Sequence, residues 1–349
     1  MSGAHTVQEG LEKVQAFATA QAVAPGLTVV VIISTVAWFL GGLIPIIGAP
    51  VMALAGGLVL RNAAGTPATL RPGADFTLKR LLRLAIILFG ATLSFAQVIE
   101  IGAGSFAVIF TTIVLALGLT YLFGRWLQAP RGLVSLIGVG TAICGATAII
   151  TVGPIIESRE EEIAFAVTTI FLFNMLAVVI YPLLGHGLVL SDRVFGVWAG
   201  TAIHDTSSVL AASFAFSDPA GKVATVVKLT RTLMLVPLAL AFGIAHSYAQ
   251  SRRGAAGGVR VNLVKIFPWF ILWFVVAALL NTGGLFSAPV VKGASLAGKF
   301  LVVMVMAAVG LSADLKRMRE IGLRPLYIGL AASVMIAVVS IALIRLLLS

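Results

Sequence analysis

Apolar residues run along this chain in unbroken stretches of about twenty, separated by short polar breaks. The runs are continuous rather than alternating, so they predict helices and not strands. Eleven candidate membrane spans follow, at roughly 24–41, 43–60, 81–98, 105–123, 133–152, 163–184, 195–216, 223–246, 266–281, 295–313 and 324–346. The pattern leaves residues 24–349 as a single transmembrane domain, with residues 1–23 ahead of it. In that first segment Val7, Leu11, Val14 and Ala18 recur at helical spacing, with Glu9, Glu12 and Lys13 elsewhere on the wheel. It reads either as a helix lying on the membrane surface or as a tail. Two stretches read as loops: Arg61 to Lys79, rich in Pro, Gly and Thr, and the basic linker Gln250 to Val259.

Composition narrows the class. Of 349 residues 60% are hydrophobic and 11% charged, and the mean hydropathy is +1.09. A soluble core of this size needs a polar shell that the chain cannot supply. The expected fold is therefore an all-α polytopic membrane protein. The net charge of +11 does not point to nucleic acid, because the basic residues sit in short loops between apolar runs, where they report orientation. Loops after even-numbered spans hold Arg61, Arg71, Lys79, Arg80, Arg83, Arg125, Arg131, Arg193, Arg252, Arg253, Arg260, Lys265, Lys316, Arg317, Arg319 and Arg324. The opposite loops hold only Arg159, Lys222, Lys292 and Lys299, with the acidic run Glu157 to Glu162. The even loops are thus expected on the cytoplasmic side of the inner (plasma) membrane, with a cytoplasmic N-terminus. The one cysteine, Cys144, excludes an intramolecular disulfide, and no cleavable signal peptide is visible.

Internal echoes suggest a repeat. Phe89 to Gly102 (FGATLSFAQVIEIG) resembles Ala307 to Gly322 (AAVGLSADLKRMREIG). The two lie about 220 residues apart and, by the span count, run in opposite directions, as an inverted repeat requires. A second echo is Gly140-Thr-Ala-Ile143 against Gly200-Thr-Ala-Ile203. The span count makes these two parallel unless one belongs to a half-span.

Polar residues deep in the apolar runs are the functional candidates. Gly138, Gly140, Gly145 and Gly153 with Pro154 imply a helix that is either broken or closely packed. A broken helix would present backbone N–H groups and the positive end of a half-helix dipole at midplane, a site for an anion. Gly140, Thr141, Cys144, Gly145 and Thr147 would line it, and Thr201 and Asn174 could contribute. His204 and Asp205 lie mid-run, where an ionised group costs at least about 2.5–3.5 kcal/mol. With Thr206, Ser207 and Ser208 they form the densest polar cluster in any span. Helical spacing would put His204 and Ser208 on one face. Imidazole and carboxylate suit a coupling proton, and Asp with hydroxyl oxygens suits Na⁺. A buried polar network that only locks helices together is the competing account. Lys228 and Arg231 share a face of the eighth run and would attract an oxyanion, unless they reach out to the interface. No spacing suits a metal site, and no constellation suits an enzyme.

Four segments resemble a known family: GTAICGATAI (140–149), EEIAFAVTTIFLF (161–173), WAGTAIHDTSSV (198–209) and VVKLTRTLML (226–235). Together they are similar to the bacterial inner-membrane proteins provisionally labelled sulfate exporters. That family is distantly similar to the bile acid:sodium symporter fold group. The resemblance implies inverted repeats, panel and core bundles, and two broken helices crossing at midplane, here 140–149 and 199–208. It also implies elevator-type transport. The expected function is secondary transport of a small anion, of the sulfate, sulfite or organosulfonate class, coupled to Na⁺ or H⁺ and needing no other cofactor. An anion channel, a non-transporting scaffold or sensor, and a homodimeric assembly stay open.

Overall fold

The computed structural model describes residues 2–43, 48–65, 67–251, 262–319 and 322–347. Among these residues every regular element is helical. In chain order they are α1 (Ser2–Leu43), α2 (Gly48–Ala64), α3 (Arg71–Phe76), α4 (Leu82–Gly90), α5 (Phe95–Trp126), α6 (Arg131–Ala142), α7 (Ala146–Ile155) and α8 (Glu160–Gly187). Then follow α9 (Asp192–Ala202), α10 (Thr206–Phe216), α11 (Asp218–Leu233), α12 (Leu235–Ser251), α13 (Leu263–Ile266), α14 (Trp269–Thr282), α15 (Ala288–Ser312), α16 (Leu315–Arg319) and α17 (Leu323–Leu347). Six segments among the described residues are long and apolar enough to cross a membrane: Gln21–Leu43, Phe95–Trp126, Glu160–Gly187, Asp218–Tyr248, Ala288–Ser312 and Leu323–Leu347. The chain is an all-helical, polytopic membrane protein.

The first helix is continuous from Ser2 to Leu43 and passes through Pro25. The expected loop Arg61 to Lys79 is largely helical instead: a 3₁₀ turn (Ala68–Leu70), α3, and a π-helical turn beginning at Thr77. Pro72 sits at the start of α3, where a missing N–H costs nothing. Gly73 lets α3 pack backbone to backbone on Gly26 of α1. That tertiary contact outweighs the local loop signal. Of the other expected loop, Gln250 and Ser251 end α12, and residues 252–261 lie outside the described set.

The chain divides into two compact units: residues 1–85 with 297–315, and residues 86–296 with 316–349. In the first, Gly57 and Gly310 bring α2 and α15 into backbone contact. The Asn62 Nδ2 donates to the Ala313 carbonyl (3.0 Å), and the Leu315 N–H donates to Asn62 Oδ1 (3.0 Å). The second unit contains the counterpart. Gly90 abuts Phe274 of α14, Asn281 Nδ2 donates to the Leu93 carbonyl (3.1 Å), and the Phe95 N–H donates to Thr282 Oγ1 (2.7 Å). Gly90, Leu93 and Phe95 therefore correspond to Gly310, Ala313 and Leu315, which is the register of the longer sequence echo.

Two of the eleven expected spans are not straight crossings. Run 133–152 folds back on itself at Ile143–Gly145. A Cβ on Gly140 of α6 would lie 2.8 Å from Ile149 of α7, and one on Gly153 of α7 lies 3.8 Å from Leu136 of α6. Residues 9 and 17 positions apart on a straight helix would be separated by about 14 and 26 Å along its axis; only an antiparallel pair brings them together. Run 195–216 does the same at Ile203–Asp205. Ser217 Oγ, just after α10, donates to Asp192 Oδ1 at the start of α9 (2.5 Å), and the Phe195 and Phe216 rings stack at 3.9 Å. With 12 and 11 residues, the leading arms α6 and α9 are each about 17 Å long, half of a hydrocarbon layer of about 30 Å.

The open ends of the two hairpins lie at opposite ends of α8. Gly132, at the mouth of the first, packs on Ser158 and Glu162; Gly185, near the end of α8, packs on Phe195 and Phe216 of the second. At 28 residues α8 is about 42 Å long. The hairpins therefore point toward each other from opposite sides. This removes the parallel orientation that counting each as a full span implies for the Gly140 and Gly200 tetrapeptides.

Candidate functional site

The tips of the two hairpins meet around two cations. Lys228 and Arg231, one turn apart on α11, are both fully buried. Lys228 Nζ donates to the carbonyls of Ile143 (2.9 Å), Ile203 (3.0 Å) and His204. Arg231 Nε donates to Ala142 (2.6 Å), Nη1 to Thr201 (2.6 Å), and Nη2 to Thr141. These are the last carbonyls of α6 and α9, which a broken helix leaves without N–H partners and at the negative end of its dipole. The two repeated tetrapeptides are thus the same structural element, a half-helix C-terminus closed by the same pair of side chains. The expectation that Lys228 and Arg231 attract an anion meets a different arrangement: their donors are directed at backbone carbonyls, and neither side chain reaches the interface.

The second hairpin tip is held from two further helices. Asn174 of α8 is buried, at 4% exposure, and its Oδ1 accepts from the N–H groups of His204 (3.1 Å) and Asp205 (3.0 Å). Two donors on one atom fix the orientation of the amide and leave Nδ2 turned away. His204 Nε2 pairs with Ser333 Oγ of α17 at 2.8 Å. Nothing in the sequence singles out Ser333, one serine among the small residues of an apolar helix. His204 Nδ1 faces the Thr141 backbone outside good hydrogen-bond geometry, and Thr141 Oγ1 has no partner.

Asp205 is half-buried and caps α10: its Oδ2 accepts from the N–H groups of Ser207 (2.9 Å) and Ser208 (3.4 Å) and from Ser207 Oγ. His204 and Asp205 lie in the connection, not in a helix, so the expected sharing of a helical face between His204 and Ser208 does not occur. Thr206, Ser207 and Ser208 follow as the buried first turn. Thr201 Oγ1 bonds back to Val197 (2.7 Å), inside its own helix.

The first hairpin tip is capped by a glycine. Gly145 has φ +66°, its N–H donates to Gly140 (3.0 Å), and no side chain caps the first turn of α7. A Cβ at Gly145 would stand 3.5 Å from Asp205 Cβ and 3.6 Å from Asn174 Nδ2. Cys144 is buried, while Thr147, on the first turn, is exposed. The structure therefore gathers Thr141, Cys144, Gly145, Asn174, Thr201, His204, Asp205, Lys228 and Arg231 at one place, with Gly140 behind them as a packing contact between α6 and α7.

Residues 25–329 match the family described as Conserved hypothetical protein 698. The chain belongs to that family. It is the family of the resemblance carried by the four segments above. Curated relatives carry the name UPF0324 membrane protein. One from Clostridium tetani is 38% identical over 326 residues, covering 90% of this chain and 94% of the relative. One from Streptococcus pyogenes serotype M18 is 38% identical over 326 residues, covering 91% and 95%. One from Streptococcus pneumoniae strain R6 is 40% identical over 304 residues, covering 84% and 88%.

Proposed function

We propose that the protein is a secondary transporter of a small anion of the sulfate, sulfite or organosulfonate class, and that the solute is held where the two hairpin tips meet. The observation that carries this reading is the charge arrangement there. Four half-helix ends converge. The two negative ends, of α6 and α9, face Lys228 and Arg231. One positive end, of α10, is answered by the carboxylate of Asp205. The other positive end, of α7, is capped by no side chain: Asp205 stands beside Gly145, but its Oδ2 is bonded to α10. The side chains alone leave two cations against one carboxylate, so the site is short of one negative charge.

The unpartnered polar atoms Thr141 Oγ1 and His204 Nδ1 support a solute or ordered water at the same place. Asp205 and His204 are the coupling groups in this reading. A proton or Na⁺ at Asp205 removes the repulsion between its carboxylate and an anion bound beside Gly145. Opposed hairpins from an inverted pair also fit alternating access, with the unit that carries them moving in elevator fashion.

The orientation follows from the same hairpins. If neither crosses, nine spans remain, Arg159 joins the cytoplasmic set and Arg193 leaves it. The excess of basic residues in the cytoplasmic loops is unchanged, which supports a cytoplasmic N-terminus in the inner membrane.

The test is flux in proteoliposomes with radiolabelled sulfate, sulfite and methanesulfonate. A transporter saturates, shows counterflow and responds to an imposed pH or Na⁺ gradient. Flux linear in the gradient without counterflow makes the protein a channel, and no flux or binding at all leaves it a scaffold.

A further inference from the structure

The two hairpins are each two antiparallel half-helices, and their tips differ most consequentially at the residue before the second helix, Gly145 at φ +66° against Asp205 at φ −93°. Aligned on their tetrapeptides, Cys144 corresponds to His204, Gly145 to Asp205 and Thr147 to Ser207. In the second hairpin, the first turn of α10 closes on the chain's own carboxylate: Asp205 Oδ2 takes the N–H and the hydroxyl of Ser207 and the N–H of Ser208. The first hairpin keeps the hydroxyl, as Thr147, and has a glycine where the carboxylate would be.

We propose that the first turn of α7 is the seat of one oxygen of the transported oxyanion, which it holds as the first turn of α10 holds Asp205 Oδ2. Thr147 would donate its N–H and its hydroxyl, and Ala146 its N–H. The Ala148 N–H, the counterpart of the Ser208 N–H, faces the Cys144 thiol, so two of the three donors correspond and the Ala146 N–H stands in for the third. A helix of 10 residues supplies the dipole.

An independent feature points into the same place. Asn174 is 96% buried by its 4% exposure, and among the described residues no acceptor takes its Nδ2 hydrogens. That amide is held facing the tip by the two N–H donors on its Oδ1, and it stands 3.6 Å from where a Cβ of Gly145 would be. Nδ2 is not among the fully enclosed atoms that lack a partner, so the small opening left to this residue is at the tip, where water or a ligand can reach the amide. An oxyanion with three or four oxygens can accept from Thr147 and Asn174 at once, which a halide of single-atom size does less well. The glycine is then required twice: its positive φ turns the chain at the tip, and its missing side chain leaves room for the oxygen that Asp205 supplies in the other hairpin.

This inference rests on the anion-transport reading, and one experiment separates the two. Purified protein is titrated with sulfate, sulfite and methanesulfonate, following thermal stabilisation and radiolabelled sulfate binding. Wild type, Thr147→Val, Thr147→Ser, Asn174→Asp and Thr168→Val are compared. Thr168, half-buried and bonded back to Ala164 (2.8 Å), is the control.

Expected are binding of at least one oxyanion by wild type and by Thr168→Val, about tenfold weaker binding by Thr147→Val, and recovery in Thr147→Ser. Asn174→Asp keeps an acceptor for the two N–H groups while replacing the donor by an anionic oxygen, so binding is lost. If Asn174→Asp melts early without ligand, the Thr147 pair decides. Oxyanion binding unchanged in Thr147→Val overturns the subsite and leaves the transport reading standing. A wild-type protein that none of the three anions stabilises overturns both.

Discussion

Gly145 stands in the first hairpin where Asp205 stands in the second: each is the last residue before a short helix resumes, and a Cβ added to Gly145 would lie 3.5 Å from that of Asp205. One tip carries its own anion and the other does not. The neighbouring cations, Lys228 and Arg231, serve both tips through the carbonyls just before them.

Lys228→Met leaves the carbonyls of Ile143, Ile203 and His204 without their charged donor at a fully buried position. The expected loss is about 3 kcal/mol or more, read as a melting temperature several degrees lower in detergent. Arg231→Lys is also not conservative. A single ammonium cannot reach the Ala142, Thr141 and Thr201 carbonyls as the planar guanidinium does. If either variant melts with wild type, the two side chains do not hold the tips.

Asp205→Asn retains a carbonyl oxygen to accept from Ser207 and Ser208, so the fold and the melting temperature should change little. Coupled uptake should vanish, because the group that takes up the proton or Na⁺ is gone. Uptake in proteoliposomes that still follows the imposed gradient would remove Asp205 from the coupling step.

Gly145→Ala meets only ordinary contacts, 3.4 Å from Ile170 at the nearest, so space is not the obstacle. The backbone is: φ +66° with ψ −130° is a conformation that an L-residue adopts only at a cost of about 1–3 kcal/mol. The melting temperature should fall accordingly, and oxyanion binding should fall with it.

The hairpins can be tested by side-specific labelling. Cys144→Ala leaves a chain without cysteine. Single cysteines at Arg131→Cys and Arg159→Cys should react with an impermeant maleimide from the same side of the membrane. Arg193→Cys and Lys222→Cys should both react from the other. Straight crossings would instead put Arg131 and Arg159 on opposite sides.

Much of this was legible in the amino-acid order. Composition and the continuous apolar runs determined a helical membrane protein, since in lipid only helices and closed barrels satisfy their backbone and barrel strands alternate. Depth marked His204 and Asp205, and a shared helical face marked Lys228 and Arg231. The register of the longer echo, Gly90 with Gly310 and Leu93 with Ala313, reappears as matching Asn-to-carbonyl contacts.

What the order of residues did not contain is the path of the chain between two apolar runs. A short polar break looks the same whether a helix crosses, kinks or turns back, because apolar periodicity reports which face meets oil and not which way the next turn points. Only contacts between distant residues decide it: Gly140 against Ile149, Asp192 against Ser217, Phe195 against Phe216. The partners of Lys228 and Arg231 were hidden for a related reason. Every residue carries a carbonyl, and only the folded arrangement of broken helix ends determines which of them lack an N–H and need a cation.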